Sequence, residues 1–133
     1  MKPKKILIVD DNRSLSGMVK LFLERIAHYQ VEVVNDSQLA IASAQKFRPD
    51  AIILDIEMPG KDGGDVAAEM NADPLLRHIP RMFFTGLIPH SQAGKHEVIC
   101  GGMPCLAKPL NPAALVDAVT RLLASAPLYS SAL

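Results

Sequence analysis

The chain has no tryptophan, only two cysteines and few aromatic residues, which account for 5% of its 133 positions. Acidic and basic residues balance at 14 each, so the formal net charge is zero. A nucleic-acid-binding domain usually carries a clustered basic surface, and no basic helix stands out here, so we expect no direct nucleic-acid binding. No apolar run approaches the roughly 18–20 residues of a membrane span, so we expect no membrane insertion.

The beginning of the chain, MKPKKILIVDD, does not match an export signal. Its basic start precedes only four apolar residues and then two acids, whereas a signal peptide needs a longer apolar core. We therefore expect a cytoplasmic protein, in which Cys100 and Cys105 are reduced thiols. His90 and His96 could join them in a zinc site. The four residues lack the paired, short-spaced ligands of structural zinc sites, however, so buried structural cysteines are favoured.

Short apolar runs alternate with segments of helical periodicity along the chain. The length allows one hydrophobic core, and we predict one domain over residues 1–124, followed by a tail or the start of a linker over 125–133. Strands that alternate with helices are typical of βαβ units and a parallel sheet. The apolar runs predict five strands: Lys5–Val9, Val31–Val34, Ala51–Leu54, Arg81–Phe84 and a short strand within 104–108.

Five helices are predicted between and after these strands. The fourth has the weakest pattern and is placed between Ser91 and Ile99. The fifth has a clear start, with Asn111 as its cap and Pro112 at its first position. The first helix is predicted over Arg13–His28, and residues at helical spacing form its buried face: Leu15, Met18, Val19, Phe22 and Ile26.

Polar residues follow four of the predicted strands at the points where the apolar runs end. They are Asp10 and Asp11, then Asp55, Thr85 and Lys108. Ligands of open α/β sheets bind outside the carboxyl ends of the strands, so these side chains are expected to converge on one place. Each residue alone could be a helix cap or a solvated charge. The joint pattern instead favours a site that holds a phosphoryl group.

These residues, with the segments DIEMPGKDG (residues 55–63) and LAKPL (residues 106–110), resemble the receiver domain of bacterial two-component response regulators. The resemblance covers about residues 4–124. It implies a flavodoxin-like (βα)5 fold, a three-layer α/β sandwich whose five-stranded parallel sheet has the strand order 2-1-3-4-5. It also implies that a sensor histidine kinase or phosphotransfer protein passes a phosphoryl group to Asp55.

The resemblance further implies a Mg²⁺ site, because oxygen ligands with room for water suit that ion. Asp11 and Asp55 would bind Mg²⁺ directly, and Asp10 would act mainly through water. Glu57 would contribute its backbone carbonyl. The protein would not be an enzyme with a separate substrate, since it would only catalyse its own phosphorylation and dephosphorylation.

Lys108 and the Thr85 hydroxyl are expected, by the same resemblance, to contact phosphoryl oxygens, and Gly86 leaves room beside them. The Lys108–Pro109 bond is expected to be cis. The family usually has an aromatic residue three positions before the lysine, and it turns inward on activation. Here Cys105 stands in that position, and a thiol cannot fill a ring-sized cavity.

The resemblance implies a downstream protein partner or an attached output domain, and it offers the fourth helix, fifth strand and fifth helix as the face for a homodimer. One alternative is an interaction module of the same fold whose output does not depend on phosphate, which Cys105 favours. Another is a phosphohydrolase of the haloacid dehalogenase type. That class needs a second Asp two residues after the nucleophile, where this chain has Glu57.

Overall fold

Strands and helices alternate along the chain in the computed structural model, which describes residues 2–86, 97–100, 103–108 and 111–125, with the backbone alone for 97–100. The elements in chain order are β1 (Lys5–Val9), α1 (Arg13–Ala27), β2 (Gln30–Val34), a short 3₁₀ helix (Ser37–Leu39), α2 (Ala40–Phe47), β3 (Ala51–Leu54), α3 (Gly63–Ala72), β4 (Arg81–Thr85), β5 (Glu97–Cys100), β6 (Met103–Ala107) and α4 (Pro112–Ala124).

Five of the strands are parallel and lie in the order β2-β1-β3-β4-β6. This confirms the predicted order 2-1-3-4-5, because β6 is the fifth predicted strand. Val9 pairs with Leu54, so the residues that follow β1 and β3 emerge side by side. The backbone of Asp55 extends this pairing, since its amide donates to the Val9 carbonyl at 2.9 Å.

The predicted fourth helix is wrong over Glu97–Ile99, because these residues form part of β5. This sixth strand runs antiparallel to β6 at the edge of the sheet. Two of its residues, Val98 and Ile99, are β-branched and therefore favour a strand. Pairing with β6 also gives the backbone hydrogen bonds that a strand needs. The rest of the predicted helix lies outside the described residues.

The sheet is covered on both faces, which explains why its strands are almost continuously apolar. In β1, Ile6 and Ile8 pack with α1 and α4, whereas Leu7 and Val9 pack with α2 and α3. None of these four side chains is more than 2% exposed. The result is the predicted three-layer α/β arrangement. None of the helices in the described ranges combines the length and apolarity needed to span a membrane.

The predicted buried face of α1 is wrong in part. Val19 is buried as expected, but Met18 and Ile26 are 49% and 53% exposed. Ser16 and Leu23 are buried in their place. A serine can be buried here because its hydroxyl donates to backbone carbonyls of the preceding turn. A count of apolar residues alone therefore points to a face that is rotated from the real one.

Candidate functional site

Three carboxylates meet at the carboxyl ends of β1 and β3. Asp10 and Asp11 follow β1, and Asp55 follows β3. One oxygen of each lies within 4.8 Å of the others. Asp10 and Asp55 are only 3% and 5% exposed, whereas Asp11 is exposed. Within the described part of the chain, this is the group of acidic, histidine and cysteine side chains that could hold a metal ion.

Lys108 brings a positive charge to the two buried acids. Its Nζ lies 3.3 Å from Asp10 Oδ2 and 3.5 Å from Asp55 Oδ1. The lysine directly follows β6, where its amide donates to the Thr85 carbonyl at 2.9 Å. Nζ also lies 5.6 Å from the centre of the Phe84 ring, within cation–π distance. Residues from the ends of β1, β3, β4 and β6 therefore converge at one place.

The remaining predicted site residues border this cluster. Thr85 ends β4 and is fully buried. A Cβ added to Gly86 would meet nothing within 4 Å, so there is room beside Thr85. Glu57 is exposed in the loop after β3. The roles of the Glu57 carbonyl and the Thr85 hydroxyl stay predictions, and the Lys108–Pro109 bond lies outside the described residues.

Cys105 lies in the hydrophobic core on β6 and is fully buried. Its register partner on β4 is Phe83, two residues before Thr85. The thiol is thus on the strand next to Thr85, where the sequence places the missing aromatic residue. The other members of the hypothetical zinc site lie outside the described part of the chain: His90, His96 and the side chain of Cys100.

The electrostatics of the cluster centre on Asp55. Burial raises the pKa of its carboxyl above the ordinary value of 3.8, and the neighbouring Asp10 charge raises it further. The charge of Lys108 and its hydrogen bond to Asp55 lower this pKa but do not cancel the rise. A cation among the carboxylates would offset both burial and repulsion, since it favours the ionised form.

The raised pKa predicts that Asp55→Asn stabilises the metal-free protein at pH 7. Below pH 3.8 the carboxyl is protonated in the folded and unfolded states, so its ionisation costs nothing. As the pH rises through the folded pKa, the folded state must ionise a buried group and the cost becomes complete. Denaturant unfolding in EDTA at pH 7 and near pH 3 measures the difference.

We expect the variant's advantage at pH 7 to disappear near pH 3. The matched control is Asp117→Asn, because the Asp117 side chain is 65% exposed and pairs only with Arg121 among the described ion pairs on α4. Exposed pairs of this kind contribute about 0–1 kcal/mol, so this variant should differ little from the wild type. A wild type more stable than Asp55→Asn at pH 7 would contradict the prediction.

Several residues that hold the acids in place were not predicted from the sequence. The Asn12 amide donates to Asp10 Oδ1 at 2.9 Å, and the Asn35 side chain donates to the Asp10 carbonyl at 2.7 Å. A Cβ added to Gly63 would lie 2.2 Å from the Asp55 carbonyl oxygen. The sequence signal for Asn35 is weak, because it is only a polar residue directly after a strand.

Comparison with known proteins assigns the family. The model of the response regulator receiver domain matches residues 6–120. The chain is 38% identical over 85 residues to the response regulator PleD of Caulobacter vibrioides, a match that covers 62% of this chain and 18% of that protein. It is 36% identical over 86 residues to the transcriptional regulatory protein TrcR of Mycobacterium tuberculosis, covering 62% and 31%. The chain thus spans less than a third of each of these relatives.

Solved structures agree with this assignment. The chemotaxis protein CheY4 of Vibrio cholerae is 33% identical, with a TM-score of 0.77 over 90% of this chain and 98% of that one. A response regulator from Chloroflexus aurantiacus is 32% identical, with a TM-score of 0.78 over 92% and 99%. The sheet order and the match over residues 6–120 lead to one conclusion. The chain belongs to the response regulator receiver domain family.

Proposed function

We propose that this chain is a phosphoacceptor that takes a phosphoryl group onto Asp55 from a sensor histidine kinase or phosphotransfer protein. The observation that carries the proposal is the buried Asp55 carboxylate, which lies among two further acids and 3.5 Å from Lys108 Nζ. Strand-end acids grouped with a lysine suit the capture of a phosphoryl group. A cytoplasmic location is part of the proposal.

In the transfer step, an Asp55 oxygen forms a bond to phosphorus while the bond from phosphorus to the donor histidine nitrogen breaks. The nitrogen keeps the electron pair of that bond, and the product is an aspartyl phosphate. Such a reaction depends mainly on positioning and on charge stabilisation. The Lys108 ammonium, which lies 3.5 Å from Asp55 Oδ1, would pair with one phosphoryl oxygen, and the Thr85 hydroxyl would donate to another.

We propose Mg²⁺ as the cofactor, since the clustered carboxylates offer the oxygen ligands that this ion prefers. Asp11 and Asp55 would bind it directly, Asp10 through water, and Glu57 through its backbone carbonyl. When bound, Mg²⁺ would neutralise charge on the phosphoryl group. The close grouping of the three carboxylates supports this assignment, because a cation would offset the repulsion from Asp10 that helps to raise the pKa of Asp55.

The phosphorylated chain would act on a downstream protein partner or an attached output domain. We also propose a homodimer through β6 and α4, which are the described fifth strand and fifth helix of the predicted dimer face. The buried thiol of Cys105 favours one second candidate, an interaction module of the same fold that works without phosphate. Receivers switch because a ligand contacts two conformations differently, and here Thr85 and Lys108 would have to supply that difference.

Intact-mass measurement tests the phosphoacceptor proposal. After incubation with Mg²⁺ and acetyl phosphate or phosphoramidate, the wild type should gain one phosphoryl group, and with EDTA it should gain none. Asp55→Asn should gain none in either case, whereas the exposed control Asp117→Asn should behave like the wild type. The same mass gain in Asp55→Asn would refute the assignment of the phosphorylated residue.

Amide NMR shifts with and without beryllofluoride, a phosphoryl mimic, separate the two candidate functions. A phosphorylation-dependent receiver should show shifts beyond the residues that contact the mimic, above all after β4. Shifts confined to the contacting residues would favour the phosphate-independent module. A distant change that survives in Thr85→Ala would show that another residue transmits the signal.

A further inference from the structure

The segment after β2, residues 35–37, supplies none of the proposed metal ligands but contacts both loops that carry them. We call this segment the β2 loop. Asn35 Nδ2 donates to the Asp10 carbonyl at 2.7 Å and to Ser16 Oγ at 3.0 Å. Its Oδ1 accepts from the Arg13 guanidinium at 3.3 Å. The amide group therefore ties the backbone of the first acid to the start of α1.

Ser37 makes the corresponding connection to the other loop. Ser37 is only 3% exposed. Its hydroxyl donates to the Pro59 carbonyl at 3.1 Å and accepts from the Lys61 amide at 3.3 Å. Pro59 and Lys61 flank Gly60, whose φ of 81° marks a sharp turn in the loop that follows Asp55. A buried hydroxyl thus satisfies both a donor and an acceptor of that turn.

The β2 loop is also in close steric contact with the loop that follows Asp55. A Cβ added to Gly60 would lie 2.8 Å from Gln38 Nε2, next to the β2 loop. The Asp10 backbone is held from a second direction, because its amide donates to the Val34 carbonyl at 3.1 Å. One short segment therefore connects the Asp10–Asp11 pair to the turn that follows Asp55 and Glu57.

We propose that Asn35 and Ser37 are positioning residues that set the geometry, and through it the Mg²⁺ affinity, of the acidic cluster. The part that concerns Mg²⁺ rests on the proposed function. Groups that orient metal ligands typically change metal affinity by about 10–100-fold when they are removed. Asn35→Ala removes the side-chain donor to the Asp10 carbonyl. Ser37→Ala removes the hydroxyl that bonds to both sides of the turn at Gly60.

The test combines Mg²⁺ titration calorimetry with amide hydrogen exchange of the metal-free protein. Asn35→Ala and Ser37→Ala should each raise the Mg²⁺ Kd about tenfold. Asn35→Ala should speed exchange at the Asn12 amide, which is bonded to the Asp10 carboxylate. Ser37→Ala should speed exchange at the Lys61 amide, which loses its acceptor.

Two control variants separate positioning from general loss of stability. Leu39→Ala changes a side chain that is 55% exposed, in the same 3₁₀ helix that begins at Ser37. Val119→Ala removes methyl groups from the core beneath α4 and lowers stability without touching either loop. Under conditions where every variant is folded, both controls should keep the wild-type Kd and the wild-type exchange rates at Asn12 and Lys61.

Asn35→Ala and Ser37→Ala proteins that keep a Kd within twofold of the wild type and unchanged exchange at both amides would overturn the proposal. A wild type that binds no Mg²⁺ would instead refute the proposed cofactor. In that case, faster exchange at Asn12 and Lys61 in the respective variants would still assign the positioning role to Asn35 and Ser37.

Discussion

Lys108→Met is expected to lower the free energy of unfolding of the metal-free protein at pH 7 by about 3 kcal/mol. Removing one partner of a buried ion pair typically costs about 3–5 kcal/mol, because an uncompensated charge stays buried. Lys108 is the cation nearest to Asp10 and Asp55 among the described ion pairs. The Lys108 side chain is 20% exposed, so we expect a loss of stability at the lower end of this range.

Denaturant unfolding with and without Mg²⁺ measures this effect. We expect the variant to gain more stability from Mg²⁺ than the wild type does, since the ion restores positive charge among the acids. The matched control is Lys61→Met, because Lys61 pairs with Glu69 at 2.9 Å and both side chains are at least 30% exposed. Such a pair contributes about 0–1 kcal/mol. Equal losses in the two variants would contradict the assignment of Lys108 as the cation of a buried cluster.

Gly63→Ala is expected to lower the free energy of unfolding by about 3 kcal/mol and to weaken the acidic site. A Cβ at this position would lie 2.2 Å from the Asp55 carbonyl oxygen and 2.9 Å from the Ile56 Cα. Both contacts are to backbone, so relief requires the loop after β3 to move. Forcing an extra methyl group into packed structure typically costs about 1–3 kcal/mol, and here the contact is unusually short.

Gly17→Ala is the control for this prediction, and its expected effect has the opposite sign. Gly17 lies exposed within α1, where an added Cβ would meet nothing within 4 Å. Alanine in a helix interior is favoured over glycine by about 0.5–1 kcal/mol, so this variant should be more stable. Thermal or denaturant unfolding of both variants measures these changes in stability. Destabilisation by Gly17→Ala, or none by Gly63→Ala, would show that the described packing is incorrect.

The absence of an aromatic residue at position 105 affects how phosphorylation would change the conformation of the rest of the domain. Cys105 is buried on β6 beside the strand that ends in Thr85, so position 105 itself carries no ring that could turn inward. On the far side of β6 lies the antiparallel β5 in place of part of the predicted helix. A response to phosphorylation would then depend on backbone changes after β4, which the beryllofluoride experiment measures.

The amino-acid sequence by itself determined the layered architecture and the convergence of Asp10, Asp11 and Asp55. Apolar runs that end in Asp10, Asp55 and Thr85 predicted buried parallel strands, and the structure has them in the predicted order. The cap of α4 was equally clear, since Asn111 accepts from the Ala114 amide at 3.1 Å. These features depend on local periodicity and on residues a few positions apart, which a single sequence displays directly.

Only the tertiary structure decided which α1 residues face inward, which strand β5 pairs with and which residues hold the acids in position. Ser16 is buried because its hydroxyl bonds to its own helix and accepts from Asn35 of another element, whereas Met18 is exposed. Glu97–Cys100 becomes a strand because β6 offers a partner. Asn35 and Ser37 reach the two acidic loops across 25 and 22 positions of sequence. Contacts over such separations depend on the folded arrangement, so local periodicity cannot reveal them.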